Sequence, residues 1–93
     1  RPAWFVDEKT LASITVAEAL PSLTIPKGYA LVIIAKPNNT DEIYYGDTKA
    51  EAETKKHALK AGGSISLKIT DSNLVFILPK VTNEGVDFFS ESD

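Results

Sequence analysis

Apolar residues at every second position, in segments of strand length, are the feature that most constrains how this chain can fold. In residues 64–70 the alternation places Ile65, Leu67 and Ile69 on one face and polar side chains on the other. This pattern is typical of a β-strand with one buried face and one solvated face. The sequence therefore predicts a fold built mainly from strands rather than from amphipathic helices.

Turn residues divide much of the chain into further segments of strand composition. Asp71-Ser72-Asn73 separates residues 64–70 from residues 74–78, and these two segments are predicted to form a hairpin. Residues 29–36, rich in branched side chains, are predicted to form a central strand that turns at residues 37–41 and returns as residues 42–46. Shorter strands are predicted at residues 11–16, 22–25 and 86–90.

Seven short strands with frequent turns predict an all-β fold, a small antiparallel β-sandwich or barrel. We expect one core, built from the apolar faces of the strands around the centre of the chain. Its predicted members are Leu31, Ile33, Ile65, Leu67, Ile69 and Val75.

Residues 47–62 form one long polar segment that interrupts the strand pattern. Thr48 and Glu51 have the spacing of a capping box, and Gly62 is placed to end a helix. Its apolar residues are mainly alanines, with Leu59 as the one substantial anchor, and short helices without an apolar face are marginal. The sequence leaves open whether this segment is a short helix or a loop.

Length and charge narrow the classes of function. The 93 residues suffice for one core, and we divide them into an N-terminal arm, residues 1–10, and a single domain, residues 11–93. The net charge of −3 argues against nucleic acid as the partner. No apolar stretch approaches the ~20 residues of a membrane-spanning helix, so no membrane partner is predicted. The chain contains no methionine and starts with the large Arg1, so we expect that it originally began further upstream.

No motif for catalysis or cofactor binding occurs in the sequence. A phosphate loop, a dinucleotide fingerprint, a nucleophile elbow and a zinc HExxH motif are all missing, and there is no cysteine. The one histidine, His57, has Glu53 as its only local carboxylate, and we interpret the two as an exposed surface pair. Asp41, Glu42 and Asp47 lack the spacing of an EF-hand. We therefore predict that the protein is not an enzyme and has no catalytic, cofactor or metal site.

The aromatic residues indicate an alternative class of function, carbohydrate or receptor binding. Trp4, Tyr44 and Tyr45 are candidates for a sugar-stacking platform, but neighbouring residues of a strand point to opposite faces, so at most one of the two tyrosines is available. The sequence Asn38-Asn39-Thr40 fits the glycosylation pattern, and we interpret it as turn chemistry in which Asn side chains bond nearby backbone groups. A carbohydrate- or receptor-binding β-sandwich of a fibre or surface protein stays open as the alternative.

The order of the segments carries a family resemblance. "IPKGYALVIIAKPNNTDEIYYGD" is followed by a variable segment, then by "LKAGGSISLKITDSNLVFILP" and "GVDFF". This order resembles small all-β structural proteins, of the head decoration or the tail, of tailed bacteriophages. In those proteins "P-x-G-x-x-x-x-I-x-A", an Asn-containing turn, "I-Y-x-G" and "A-G-x-S-I-S-L" follow one another.

The resemblance covers about residues 24–90 and departs from the pattern at two places. Gly63 stands where such proteins often carry an acidic residue, and the variable segment here is long and charged. The resemblance implies a virion component, located in the virus particle, that binds other capsid or tail subunits as a homo-oligomer or on a lattice. It transfers no active-site residues.

The N-terminal stretch supplies the predicted protein interface, Trp4, Phe5 and Val6. They belong to residues 3–6, the most apolar stretch outside the predicted strands. They either fold back and cap their own sandwich or form an arm that reaches a neighbouring subunit, for which Trp and Phe are favoured anchors.

Overall fold

The computed structural model describes residues 6–92, with side chains described through Glu91. The described chain contains eight strands, one α-helix and a 3-10 turn at Ser72–Leu74. The strands and the helix are β1 (Val6–Leu11), β2 (Glu18–Ala19), β3 (Tyr29–Ala35), β4 (Ile43–Gly46), α1 (Lys49–Glu53), β5 (Ala58–Leu59), β6 (Ser64–Leu67), β7 (Phe76–Pro79) and β8 (Glu84–Ser92).

The strands form two antiparallel sheets of four. Sheet A has the order β1-β8-β3-β6, and sheet B has the order β2-β7-β4-β5. The two sheets face each other across a shared apolar core, and neither closes into a barrel. The predicted all-β class is confirmed, with the sandwich as its architecture.

The core lies between the inner faces of the two sheets. Its fully buried members include Leu31, Ile33 and Phe88 from sheet A and Ile43 and Ile77 from sheet B. Of the predicted core residues, those of β3 and Val75 are buried. The predicted face of β6 does point inward, but Ile65, Leu67 and Ile69 are only half-buried. β6 is the edge strand of sheet A, so no neighbouring strand covers its outer flank among the described residues.

The hairpin predicted from residues 64–70 and 74–78 is wrong. β6 pairs with β3 in sheet A, whereas β7 pairs with β2 and β4 in sheet B. The intervening Asp71 carboxylate accepts hydrogen bonds from the backbone N–H of Asn73 (3.0 Å) and of Leu23 (3.1 Å). The backbone N–H of Ser72 donates to the carbonyl of Leu23 (3.0 Å). These bonds hold the segment against residues 22–25, so the chain crosses from one sheet to the other instead of turning back.

The strands predicted at residues 29–36 and 42–46 are confirmed as β3 and β4, but the second does not return beside the first, because β3 lies in sheet A and β4 in sheet B. The buried Asn39 amide holds this connection by donating from Nδ2 to the carbonyl of Gly85 (2.9 Å). The Glu84 carboxylate accepts from the backbone N–H of Thr40 (2.6 Å) and from its hydroxyl (2.8 Å). The Asn39 side chain thus bonds a backbone group 46 residues away rather than a nearby one.

The strands predicted at residues 11–16 and 22–25 also differ from the structure. Leu11 is the last residue of β1 rather than the first of a strand, and beyond it the Ser13 hydroxyl accepts from the backbone N–H of Val16 (3.1 Å). Residues 22–25 contribute only an isolated bridge at Thr24, while β2 lies at Glu18–Ala19. Serine side chains that bond nearby backbone groups compete with strand pairing, which favours a turn after Leu11.

The polar segment 47–62 does contain a short helix, and it covers the outer face of sheet B. Thr48 caps the helix by accepting from the backbone N–H of Glu51 (3.0 Å), but the helix ends at Glu53, long before Gly62. Ala52 is fully buried in a second cluster with Tyr44 and Leu78. This contact explains why β4 and β7 are apolar on both faces.

Small residues allow the helix to lie directly on the sheet. A Cβ atom at Gly46 would lie 2.5 Å from the backbone nitrogen of Ala52, closer than real Cβ atoms approach. Glycine in β4 and alanine in α1 therefore set the distance between the helix and the sheet. The Glu53 carboxylate also accepts a hydrogen bond from the backbone N–H of Ala17 (2.8 Å).

The described part of the predicted arm, residues 6–10, lies in β1 at the edge of sheet A. Its residues pair with β8, from Val6 opposite Phe89 to Leu11 opposite Glu84. The Lys9 ammonium also lies 3.2 Å from the Glu18 carboxylate, which links β1 to β2. Residues 6–10 are therefore a strand of the sandwich, and residues 1–5 lie outside the described residues.

Candidate functional site

The predicted interface falls at the beginning of β1. Val6 is 64% exposed, the largest exposure among the described bulky apolar side chains. Trp4 and Phe5, the other two residues of the predicted interface, lie outside the described residues. The structure thus places one member of the predicted set at an exposed edge of the sandwich.

Val6 is the exposed end of an apolar row on the outer face of sheet A. It lies opposite Phe89 of β8, which in turn lies opposite Val32 of β3. Directly opposed residues of antiparallel strands share one face, so the three side chains are neighbours. Exposure falls along the row, from exposed Val6 through half-buried Phe89 to buried Val32.

A charged cluster flanks this row. The Lys36 ammonium lies 2.8 Å from the Glu8 carboxylate of β1 and 3.3 Å from the Asp87 carboxylate of β8. The hydrogen bond to Glu8, followed by the bond to Asp87, outweighs the opposing effect of burial and raises the pKa of Lys36 above its usual value. The cluster fixes β1 against its neighbour and places charge on the sheet edge, which disfavours nonspecific pairing of edges.

The second candidate site is an open cleft between the two sheets. It has a volume of about 460 Å³, within the range of natural ligand pockets. Its polar and aromatic lining comes from β4 and the segment that follows it: Tyr45, Gly46, Asp47, Glu51 and His57. Its aliphatic lining, here called the aliphatic wall, comes from Leu67, Ile69, Leu74 and Val75. It opens where β6 leaves the side of the core uncovered.

The lining of the cleft combines the aliphatic wall with rings and charged groups. Leu74, at the end of the 3-10 turn, is 49% exposed, although it is a large apolar residue. In the rest of the lining the rings of Tyr45 and His57 lie 5.8 Å apart at an interplanar angle of 33°. The His57 Nε2 atom lies 3.7 Å from the Glu51 carboxylate, and exposed Asp47 also lines the cleft. The cleft therefore fits an apolar group that is accompanied by positive charge.

The two tyrosines of the sugar-platform hypothesis are on opposite faces, as the strand geometry predicts. Tyr44 is buried beneath α1; burial, followed by the hydrogen bond from its hydroxyl to Glu42, raises the pKa of Tyr44. Only Tyr45 reaches the cleft. The aliphatic wall would leave sugar hydroxyl groups without hydrogen-bond partners, which is costly. This geometry favours an apolar occupant over a carbohydrate.

The structure does not bring together the residues considered for catalysis or metal binding. His57 approaches Glu51 rather than Glu53, and Glu53 is bonded to the backbone of Ala17. The Asp41 carboxylate lies 3.7 Å from the Lys80 ammonium. Within residues 6–92, no group of three His, Asp or Glu side chains is arranged to hold a metal ion.

The pattern of the sequence gives no sign of the cleft. It predicts Leu67 and Ile69 as core residues, and their alternation does not indicate that they lie on an open edge. Leu74 follows a turn-like triplet and is predicted to lie in a strand; its position on the cleft depends on the crossover between the sheets. Only the assembled sandwich shows that these side chains are partly uncovered.

No family model matches the sequence, and neither curated proteins nor solved structures show significant similarity to it. Among the described residues, none of the helices has the length and apolar character to cross a membrane.

Proposed function

We propose that this protein is a non-enzymatic structural component of a bacteriophage virion that binds other capsid or tail subunits. The observation that carries the proposal is the edge strand β1. Its first residue, Val6, is exposed at the side of the sandwich and directly follows Trp4 and Phe5 in the sequence. An edge strand continued by aromatic residues is suited to contact a neighbouring subunit.

The residues behind the family resemblance support a structural role. Gly46 of the "I-Y-x-G" segment makes room for α1, and Asn39 of the Asn-containing turn holds the connection between the sheets against Gly85. Gly28 of the "P-x-G" segment has a φ of 84°, which glycine adopts readily, in the turn before β3. Each of these residues has a role in building the sandwich, so the shared pattern describes a scaffold rather than a catalytic site.

The proposal is tested by asking whether the chain belongs to a large particle. Particles from the native source are purified by density gradient, and this chain is quantified across the gradient by mass spectrometry. We expect it to co-sediment with major capsid or tail proteins at a fixed copy ratio. A chain that stays entirely in the slow, soluble fractions while particles are intact would contradict the proposal.

A variant that lacks residues 1–5 but retains all of β1 tests the role of the N-terminal segment. It replaces the full chain in the native source, and its folding is checked by circular dichroism before particles are collected. We expect the truncated domain to be folded but depleted from the particles. Normal incorporation of the variant would show that residues 1–5 are not the means of attachment.

A further inference from the structure

We infer that the open cleft is the receptor for residues 1–5 of a second copy of this chain. The inference rests on the proposed function in one respect, because it takes the N-terminal segment as the means of attachment. It adds the surface that receives the segment and identifies the partner as another copy of the protein.

The cleft and residues 1–5 are complementary in apolar character and charge. The cleft combines an aliphatic wall, including the exposed Leu74, with the carboxylates of Asp47 and Glu51 at its margin. Residues 1–5 are Arg-Pro-Ala-Trp-Phe: two aromatic anchors, one cation and no acid. Aromatic residues are the preferred anchors of apolar pockets at interfaces, and a cation beside them meets the acidic margin.

The short distance that Trp4 can extend from β1 favours the cleft of a second copy over the cleft of its own sandwich. β1 and β6 are the opposite edges of sheet A, so three inter-strand spacings, about 14 Å, separate them. Trp4 is two residues from Val6, so its Cα atom can be at most about 7 Å from the Cα atom of Val6. The Cα atom of Trp4 can therefore cover only about half the distance to the cleft of its own sandwich while β1 stays paired with β8. A neighbouring copy has no such restriction.

The chain contains a single tryptophan, so its fluorescence reports directly on Trp4. The test measures the emission of the full chain across a concentration series, together with its mass by analytical ultracentrifugation. We expect the emission to shift to shorter wavelength as the protein self-associates, because Trp4 moves from water into an apolar cleft. Short-wavelength emission from a monomer would place Trp4 against its own chain, and a monomer with solvent-exposed emission at every concentration would show no docking; either result overturns the inference.

Two matched variants locate the contact. Leu74→Asp puts a charge on the cleft, and Ile14→Asp puts the same charge on an equally accessible residue, 45% exposed, that does not line it. With both folds verified by circular dichroism, we expect Leu74→Asp to weaken self-association by about tenfold or more and Ile14→Asp to leave it unchanged. Equal effects of the two variants would overturn the assignment of the cleft.

A charge exchange tests the acidic margin without altering the aliphatic wall. Asp47→Arg should weaken association, and adding Arg1→Asp in the same chain should restore it. Failure of the double variant to recover, while Trp4→Ala still abolishes association, would show that the segment docks elsewhere. Binding of a glycan that is lost in Leu74→Asp would also overturn the inference, since the cleft would then be a carbohydrate site.

These outcomes are distinguishable from failure of the proposed function. If the chain self-associates through the cleft but never sediments with particles, the inference stands and the virion role fails. If the chain is found in particles but Leu74→Asp is incorporated and self-associates normally, the virion role stands and the cleft assignment fails.

Discussion

At the scale of single residues, the connections between the two sheets depend on a few polar side chains. Asn39 is 8% exposed, and besides donating to the carbonyl of Gly85 its own carbonyl oxygen accepts from the backbone N–H of Gly85 at 3.4 Å. A side chain that satisfies both backbone groups of one residue acts as a clamp. The β3–β4 connection is thereby fixed to the start of β8.

Asn39→Ala should lower the free energy of unfolding by about 1–3 kcal/mol, because it leaves buried backbone groups at Gly85 without this partner. The matched control is Asn38→Ala at the exposed neighbouring position, for which we expect a change within about 0.5 kcal/mol. Urea denaturation followed by circular dichroism measures both. Equal effects of the two substitutions would show that the clamp contributes nothing.

Glu84 makes the stability of the β3–β4 connection sensitive to acid. The backbone N–H of Thr40 is the main cause that lowers the pKa of Glu84 below its ordinary value of 4.5, with further bonds from the Thr40 hydroxyl and the backbone N–H of Asp41. Since the folded-state pKa is the lower one, this contribution to stability is present above pH 4.5 and is lost as the pH falls through the folded-state value.

Glu84→Gln should therefore remove part of the stability gained on raising the pH from strongly acidic conditions to neutrality. The melting temperature of the variant and of the wild type, measured across this range, should converge at the acidic end and separate at pH 7. Glu91→Gln, at an exposed position near the end of β8, is the control and should follow the wild type. A constant offset between Glu84→Gln and the wild type at every pH would contradict this account.

At the scale of elements, α1 illustrates how context stabilises a helix that is weak by itself. Its five residues are too few for stability in isolation, and Ala52 supplies its buried contact with sheet B. The strand beneath it carries Gly46 at the point of closest approach. The helix therefore depends on the sheet, and the sheet uses the helix to cover Tyr44 and Leu78.

Ala52→Leu should destabilise the protein by about 1–3 kcal/mol, because three further carbon atoms do not fit between the helix and the sheet. Ala50→Leu introduces the same side chain at an exposed position of the same helix and should change the stability by no more than about 0.5 kcal/mol. Chemical denaturation compares the two variants. An Ala52→Leu protein as stable as the wild type would mean that the helix can leave the sheet at no cost.

At the scale of the whole molecule, the structure decides where an N-terminal truncation should stop. Residues 6–9 pair with β8, and they include Glu8 and Lys9, which form ion pairs with Lys36 and Glu18. A truncation within β1 would remove a strand from sheet A together with these contacts. Attachment and folding are separable only if the cut falls before Val6.

Removal of residues 1–5 should leave the melting temperature within a few degrees of the wild type, whereas removal of residues 1–9 should lower it clearly. The physical reason is that only the second truncation removes backbone hydrogen bonds between β1 and β8. Differential scanning calorimetry on both proteins makes the comparison. If the shorter truncation lowers the melting temperature as much as the longer one, residues 1–5 belong to the fold rather than to an interface.

The sequence by itself determined the class of the fold, the inward face of β6 and the cap of α1. These features follow from alternation and capping, which depend on residues close together in the chain. It also determined that Tyr44 and Tyr45 point apart, because that follows from the geometry of any strand.

Only the tertiary structure decided which strands pair. An alternating segment is compatible with a hairpin partner or with a partner in another sheet, and the choice rests on long-range bonds such as those of Asp71 to Leu23 and of Asn39 to Gly85. The cleft depends on that choice, since Leu74 reaches it only because the chain crosses between the sheets after β6. Interactions between residues some 50 positions apart in the chain leave no periodic signal in the sequence, so the candidate site became visible only in the assembled sandwich.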